Sequence, residues 1–181
     1  MRVISGSAGG IPLFTVPGRG TRPTLDRVRE SLFAILAPRL ARARVLDLYA
    51  GTGALGIEAL SRGAATCVFV ESEERALRVL RRNLERTGLG ERAIVRRGRL
   101  PGALRQVAGE APFDLVLCDP PYADAQWRDL LTALVPLLAD AFIVAWEHAR
   151  RDIPDLPEPY RLRRVAEYGQ TCVSFLGRSD A

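Results

Sequence analysis

Apolar residues along this chain follow two rhythms. From residue 44 onward, short and nearly unbroken apolar runs alternate with longer stretches whose apolar positions recur every three or four residues. The short runs are Arg44–Leu48, Thr66–Val70, Ala93–Val95, Leu115–Cys118 and Phe142–Trp146. Such runs between turn signals read as strands buried on both faces. Between them, Ala54–Ser61, Glu73–Thr87, Leu100–Val107 and Trp127–Leu138 carry helical spacing. Leu77, Leu80 and Leu84 mark one side of the second of these, and Gly88 ends it. Residues 1–23 hold five glycines and three prolines and predict an irregular arm or short hairpin. A helix follows, with Leu25, Val28, Leu32, Phe33, Ile35 and Leu36 on its apolar side, Thr24 as its N-cap and Pro38 closing it. Three prolines make 149–159 a loop, and Tyr160–Tyr168 with Thr171–Leu176 around Gly169-Gln170 predict a β-hairpin. The alternation predicts an α/β fold, a mostly parallel sheet covered on both faces and closed by an antiparallel hairpin. The arm and first helix occupy 1–43, and the α/β domain 44–181.

Composition excludes more than it identifies. A chain of 181 residues with 48% hydrophobic and 26% charged residues has enough apolar surface for one full core. No stretch approaches the roughly 18 apolar residues of a membrane span, so no membrane partner and a cytoplasmic location are expected. Cys67, Cys118 and Cys172 lie far apart in strand-like runs and read as small buried hydrophobes; with His148 the only histidine, no metal is expected. Trp127, Trp146 and His148 read as packing residues, although Glu147-His148, at the end of the fifth strand, stands near the expected site. Every basic residue is arginine. Residues 1–44 carry eight against Asp26 and Glu30, a net of +6, whereas 45–181 carry 18 against 19 acids, a net of −1. A basic arm on a near-neutral domain suggests contact with a polyanion.

Two strand ends carry candidate chemistry. The first reads Asp47-Leu48-Tyr49-Ala50-Gly51-Thr52-Gly53-Ala54-Leu55-Gly56, with Glu71 twenty residues after Gly51. Glycines there let backbone approach a ligand at a helix N-terminus, and the acid suits ribose hydroxyls; nicotinamide dinucleotides and S-adenosylmethionine (SAM) both use this arrangement. Asp47 separates them. A carboxylate at that strand edge would repel a pyrophosphate but suits the cationic aminoacyl end of SAM. The second strand end reads Asp119-Pro120-Pro121-Tyr122. An exocyclic amino group on a base is a poor nucleophile, so its N–H groups must be accepted and its nitrogen aligned. Asp119 offers a side-chain oxygen, Pro120 a carbonyl with no N–H of its own, Pro121 a stiff turn and Tyr122 a ring face for a base drawn from its stack. A carboxylate accepts from two donors and so suits guanine N1–H and N2–H. The pairing points to methyl transfer onto a base amino group and to the class I SAM-dependent methyltransferase variant of the doubly wound fold, with seven strands.

Arg22-Pro23-Thr24-Leu25-Asp26-Arg27-Val28-Arg29-Glu30-Ser31-Leu32-Phe33 resembles the R-P-T-x-D-R-V-R-E-x-L-F signature of the RsmD family. The similarity continues through Leu46–Gly56, Glu58-Ala59-Leu60-Ser61-Arg62-Gly63-Ala64-Ala65 and Asp119–Tyr122. The resemblance implies a methyltransferase acting on N2 of one guanine in 16S ribosomal RNA, as a monomer with the small subunit as partner. It implies a catalytic set of Asp119, Pro120, Pro121 and Tyr122, and a SAM site formed by Thr24, Asp47, Tyr49, Ala50, Gly51, Gly53, Glu71, Ser72, Arg99 and Leu100. It places the arm and first helix over the pocket, with Arg2, Arg19, Arg22, Arg27 and Arg29 toward RNA phosphate, or some of the helix arginines toward the SAM carboxylate. Two departures stand out. Ile11-Pro12-Leu13-Phe14 replaces the family's basic residues after Gly9-Gly10, which implies weaker RNA contact by the arm or an altered docking surface. Gly98-Arg99 stands where many SAM enzymes place an acid or Asn near the adenine, leaving backbone contacts from Arg99 and Leu100. The alternatives from the residues are an adenine-N6 methyltransferase, a nicotinamide oxidoreductase built on Gly51, Gly53, Gly56 and Glu71, and an RNA-binding assembly factor without catalysis.

Overall fold

The computed structural model describes residues 1–16, 23–121, 127–149 and 156–179, and no side chain between 23 and 26. The chain runs α1 (Pro23–Leu36), β1 (Arg44–Leu48), α2 (Ala54–Ser61), β2 (Thr66–Glu71), α3 (Glu74–Thr87), β3 (Ala93–Arg97), a 3-10 stretch Gly102–Glu110, β4 (Phe113–Cys118), α4 (Trp127–Leu134), β5 (Leu138–Ala149), β6 (Tyr160–Tyr168) and β7 (Thr171–Arg178). The strands form one sheet in the order β3-β2-β1-β4-β5-β7-β6. β3 through β5 pair in parallel, and β7 joins β5 and β6 antiparallel. This is the seven-stranded, doubly wound sheet with a closing hairpin that the alternation of strand and helix predicts. The order reverses between β1 and β4, so their C-terminal ends flank a crevice in which such sheets bind ligands.

Two apolar cores sandwich the sheet. On one face Leu32, Phe33, Ile57, Leu60, Leu77 and Leu80, from α1, α2 and α3, meet Val45, Phe69, Leu115, Leu117 and Phe175. On the other, Leu130, Leu131 and Leu134 of α4 and Leu104 and Val107 of the 3-10 stretch meet Leu46, Val68, Val116, Val144 and Trp146. Alternate residues of each strand serve opposite cores, hence the unbroken apolar runs.

Three elements differ from the periodicity. The helix expected over Trp127–Leu138 stops at Leu134 and tightens into a 3-10 turn at Val135–Leu137, because Pro136 has no N–H to continue the ladder. The helix expected over Leu100–Val107 is the 3-10 stretch Gly102–Glu110. β5 is longer than Phe142–Trp146 at both ends. Phe113 opposite Leu138 and Leu115 opposite Ile143 show a register shift at its start, and β7 keeps pairing with it as far as Ala149 opposite Thr171. Antiparallel support, which periodicity cannot show, carries β5 three residues past the end of its apolar run.

The arm forms a small hairpin-like loop. Val3 and Ile11 pair through their backbones, as do Leu13 and Met1. α2 clamps it. The buried Glu58 carboxylate accepts from the Ile4 N–H at 2.7 Å and the Ser5 N–H at 3.1 Å, while Arg62 pairs with it at 2.6 Å. Ser61 Oγ accepts from the Ala8 N–H and donates to the Ser5 carbonyl. Farther along, Asn83 of α3 accepts from the Phe14 N–H and donates to the carbonyls of Phe14 and Thr52. The Phe14 ring lies under Arg82 and Arg86, 4.2 and 4.9 Å from its centroid. Ile11–Phe14 thus serves as an anchor: Leu13 enters the core and Phe14 docks on α3.

Candidate active site

The crevice holds a cavity of about 510 Å³. Its floor is the C-terminal edge of β1, β2, β4 and β5, contributing Asp47, Tyr49, Ala50, Gly51, Glu71, Ser72, Asp119, Pro120, Pro121 and Glu147. Its roof is the arm and α1, through Met1, Thr15, Val16, Val28, Arg29 and Leu32. Tyr168 of β6 ties this roof to the hairpin, donating from its hydroxyl to Ser31 of α1 at 2.5 Å. The structure therefore brings together the two strand ends that the sequence separates by some seventy residues.

The loop after β1 is held by acids. Asp47, buried, accepts from the Gly56 N–H at 2.9 Å and so ties strand to helix. Glu71 Oε2 accepts from the Gly51 N–H at 2.8 Å, and its Oε1 accepts from the N–H groups of Ser72 and Glu73 at 2.7 Å each. Oε1 thus has both lone pairs engaged, while Oε2 retains one for a ligand hydroxyl. Tyr49 sits at φ +55°, a left-handed conformation that costs a non-glycine residue on the order of 1–3 kcal/mol and clusters at functional sites. Gly53 and Gly56 face the protein. A Cβ on Gly53 would stand 2.1 Å from Leu80 Cδ1, and one on Gly56 2.3 Å from Phe69 Cε1. Gly53, at φ +79°, begins α2 and is not among the residues lining the cavity. Its place in the motif reflects close packing of the start of α2 against Leu80 of α3, whereas Gly56 lets α2 pack onto β2.

The electrostatics are lopsided. Among the described residues five acids line the cavity, Asp47, Glu71, Glu73, Asp119 and Glu147, against one arginine, Arg29. Burial pushes the Asp47 carboxyl up to about 8; the Gly56 N–H opposes this, and Asp119 and Glu71 add to it. Glu147 rises to about 7, by burial and then by the charge of Asp119. Such a cavity suits a cation and disfavours a pyrophosphate. Arg29, a candidate for RNA phosphate, is instead buried inside it, donating from Nη2 to the Arg2 carbonyl. There it fits a ligand carboxylate. Arg2 and Arg27 are exposed. Arg19, Arg22, Tyr122 and the Thr24 side chain lie outside the described residues.

A second hollow of about 300 Å³ adjoins the first. Tyr49, Val70, Glu71, Ser72, Gly98, Arg99, Leu100 and Pro121 line it. Gly98, whose N–H donates to the Glu71 carbonyl, packs closely on the 3-10 stretch, where a Cβ would come within 2.6 Å of Ala103, and Arg99 and Leu100 line the hollow beside it. Among the described residues no group of acids, cysteines or histidine could hold a metal, and no helix is long and apolar enough to cross a membrane. Trp127 stacks on Trp146 at 5.8 Å, and His148 bonds Ser174 and the Ala149 carbonyl, so these are packing residues. Glu147, which the sequence placed near the site at the end of the fifth strand without a role in the catalytic or cofactor set, lines the cavity, as does Glu73, which belongs to neither motif.

Fold and site together define a class I methyltransferase, with S-adenosylmethionine as methyl donor. The model of the family described as "Conserved hypothetical protein 95" matches residues 1–177, and the chain belongs to this family, the RsmD family. Among similar proteins, Bacillus subtilis (strain 168) YlbH is 41% identical over 179 residues, covering 96% of this chain and 97% of that one. "Ribosomal RNA small subunit methyltransferase D" of Escherichia coli (strain K12) is 34% identical over 194 residues, covering 100% and 94%. Of solved structures, Escherichia coli yhhF has a TM-score of 0.84 at 33% identity, covering 100% of this chain and 99% of its own. Thermus thermophilus TrmN, at 24% identity and TM-score 0.72, shares the fold.

Proposed function

We propose that this enzyme methylates the exocyclic N2 amino group of a guanine in 16S ribosomal RNA, acting as a monomer on the small ribosomal subunit. One observation carries the reading: Asp119-Pro120-Pro121 and the Asp47–Gly51 loop line a single cavity whose charge suits a cation. The Escherichia coli relative, named for small-subunit RNA methylation, supports the substrate class.

The chain's own residues divide the work. Asp47 receives the ammonium end of the cofactor and Arg29 its carboxylate; Glu71 takes the ribose hydroxyls, and the hollow beside Leu100 the adenine. When bound, SAM supplies an electrophilic methyl group. Asp119 and the Pro120 carbonyl accept the amino N–H groups, so the nitrogen lone pair is released from the ring and aimed. On taking up the methyl group the amino nitrogen would shed one proton, to Asp119 or to water. Arg27 and Arg2, exposed near the cavity roof, with Arg19 and Arg22, bind phosphate.

Asp119→Ala tests this. Methyl transfer should fall by about 100-fold or more, the scale of losing one acceptor at the reacting group, while SAM affinity measured by calorimetry stays within about twofold. Full activity in that variant would refute the assigned role. Adenine-N6 methylation is the second reading, because a D-P-P turn can accept any base amino group; the identity of the methylated nucleoside separates the two.

A further inference from the structure

Glu147 stands apart from every recognised motif, yet it lines the same cavity as Asp119. Its placement follows from the sheet. Asp47 lies opposite Leu117, and Leu117 opposite Ala145, so these three share one face. Glu147 is two residues beyond Ala145 on β5 and therefore projects to that same face. It is held there because β7 keeps pairing with β5, with Val173 opposite Glu147. Asp119 is two residues beyond Leu117, at the mouth of the neighbouring strand. Carboxylates from three adjacent strands thus stand in a row, Asp47 over β1, Asp119 over β4 and Glu147 over β5. Asp47 and Glu71 occupy the cofactor half. Glu147 lies on the other side of Asp119, away from the glycine-rich loop, where a base would enter. Among the described residues none makes a hydrogen bond or ion pair with it, so a half-buried carboxyl beside another acid is left for a ligand.

We propose that Glu147 is a base-contacting residue that accepts the ring N–H next to the target amino group, and so selects guanine over adenine. The proposal rests on the guanine-N2 reading above. With Glu147 present, the two donors of the guanine edge need not share one carboxylate: Asp119 and the Pro120 carbonyl take the amino hydrogens, and Glu147 takes N1–H. Adenine presents a lone pair at the ring nitrogen beside its amino group, and an ionised Glu147 would repel it. Asp119, from the turn after β4, is the charge that acts on Glu147; the other described titratable groups lining the same cavity are Asp47 from β1, Glu71 and Glu73 at and after the end of β2, Arg29 from α1 and Met1 of the arm. Burial, and after it the charge of Asp119, makes Glu147 ionise late, toward 7, and guanine's N–H donors favour its charged form.

The test compares wild type, Glu147→Gln and Asp119→Ala on small ribosomal subunits lacking the modification, with saturating labelled SAM, from pH 5.5 to 8.5. Wild-type rate should rise with pH through about 7. In Glu147→Gln the rise should flatten and the rate at pH 8 fall by about 10- to 100-fold, the scale of one hydrogen bond to a charged group. SAM affinity should hold within twofold, and Glu147→Asp should recover part of the rate. A wild-type rate and pH profile in Glu147→Gln would overturn the proposal, as would loss of SAM binding, which would make Glu147 a support of the cofactor half. Failure of the guanine reading itself would show in the wild type, as a labelled nucleoside other than N2-methylguanosine.

Discussion

Asp47 shows how one residue holds fold and function in tension. Its side chain caps the glycine-rich loop through the Gly56 N–H, but burial holds its carboxyl near 8 against an ordinary value of 3.8. Between those values the folded protein keeps a proton that the unfolded chain releases. Stability of the unliganded enzyme should therefore fall as pH rises from about 4 to 8, by up to about 1.4 kcal/mol per pH unit for each such group. Glu147 adds to the same slope below about 7. Urea midpoints between pH 5 and 9 would read it, and Asp47→Asn should reduce the slope while weakening SAM binding by tenfold or more. A cation bound beside Asp47 offsets the cost, so SAM should stabilise the wild type more strongly than the variant. Gly56 is the complementary case. Gly56→Ala would drive a methyl group into Phe69 and Cys67, and we expect a loss of about 1–3 kcal/mol in thermal or urea unfolding, the usual cost of overpacking. Asp47, Gly51, Glu71 and Asp119 were all legible in the sequence, because a charge or glycine at the end of an apolar run is conspicuous. Gly53 was legible as a residue but not in its direction. Only the packing against Leu80 shows that it faces the protein.

Among the elements, α2 has two duties. Its N-terminus presents the loop to the cavity, and its opposite side grips the arm through Glu58 and Ser61. The Glu58–Ala65 segment carried only a resemblance in the sequence, since nothing there shows that a glutamate in a short apolar helix meets two backbone N–H groups some fifty residues upstream. Glu58→Ala would leave those donors and Arg62 without their acceptor in a buried setting. It should lower stability by about 2–4 kcal/mol and expose the arm to limited proteolysis before the domain. An arm as resistant as in the wild type would show that its apolar contacts suffice. The Ile11–Phe14 departure is explained at this scale too. Leu13 and Phe14 are anchors against the core and α3, so the arm roofs the cavity by packing, whatever phosphate contact its other residues make. β5 was underestimated because its last residues are polar, and their strand conformation depends on β7.

At the scale of the molecule, the doubly wound order places the β1 and β4 ends side by side, and the arm with α1 closes the crevice above them. That architecture was legible from the alternation of buried strands and amphipathic helices. The acidity of the enclosed space was not, because the basic excess of the N-terminal quarter hides it: Arg2, Arg27, Arg39 and Arg42 are exposed, while Asp47, Glu71, Glu73, Asp119 and Glu147 line the cavity. The chain is thus basic overall, as a protein meeting a polyanion should be, around a cavity suited to a cation. The most direct measurement is methyl transfer from labelled SAM to small ribosomal subunits lacking the modification, with digestion of the RNA and mass spectrometry of the labelled nucleoside. Label in N2-methylguanosine, lost in Asp119→Ala, is the predicted result. Label in N6-methyladenosine, or none in the ribosomal RNA, would contradict the account.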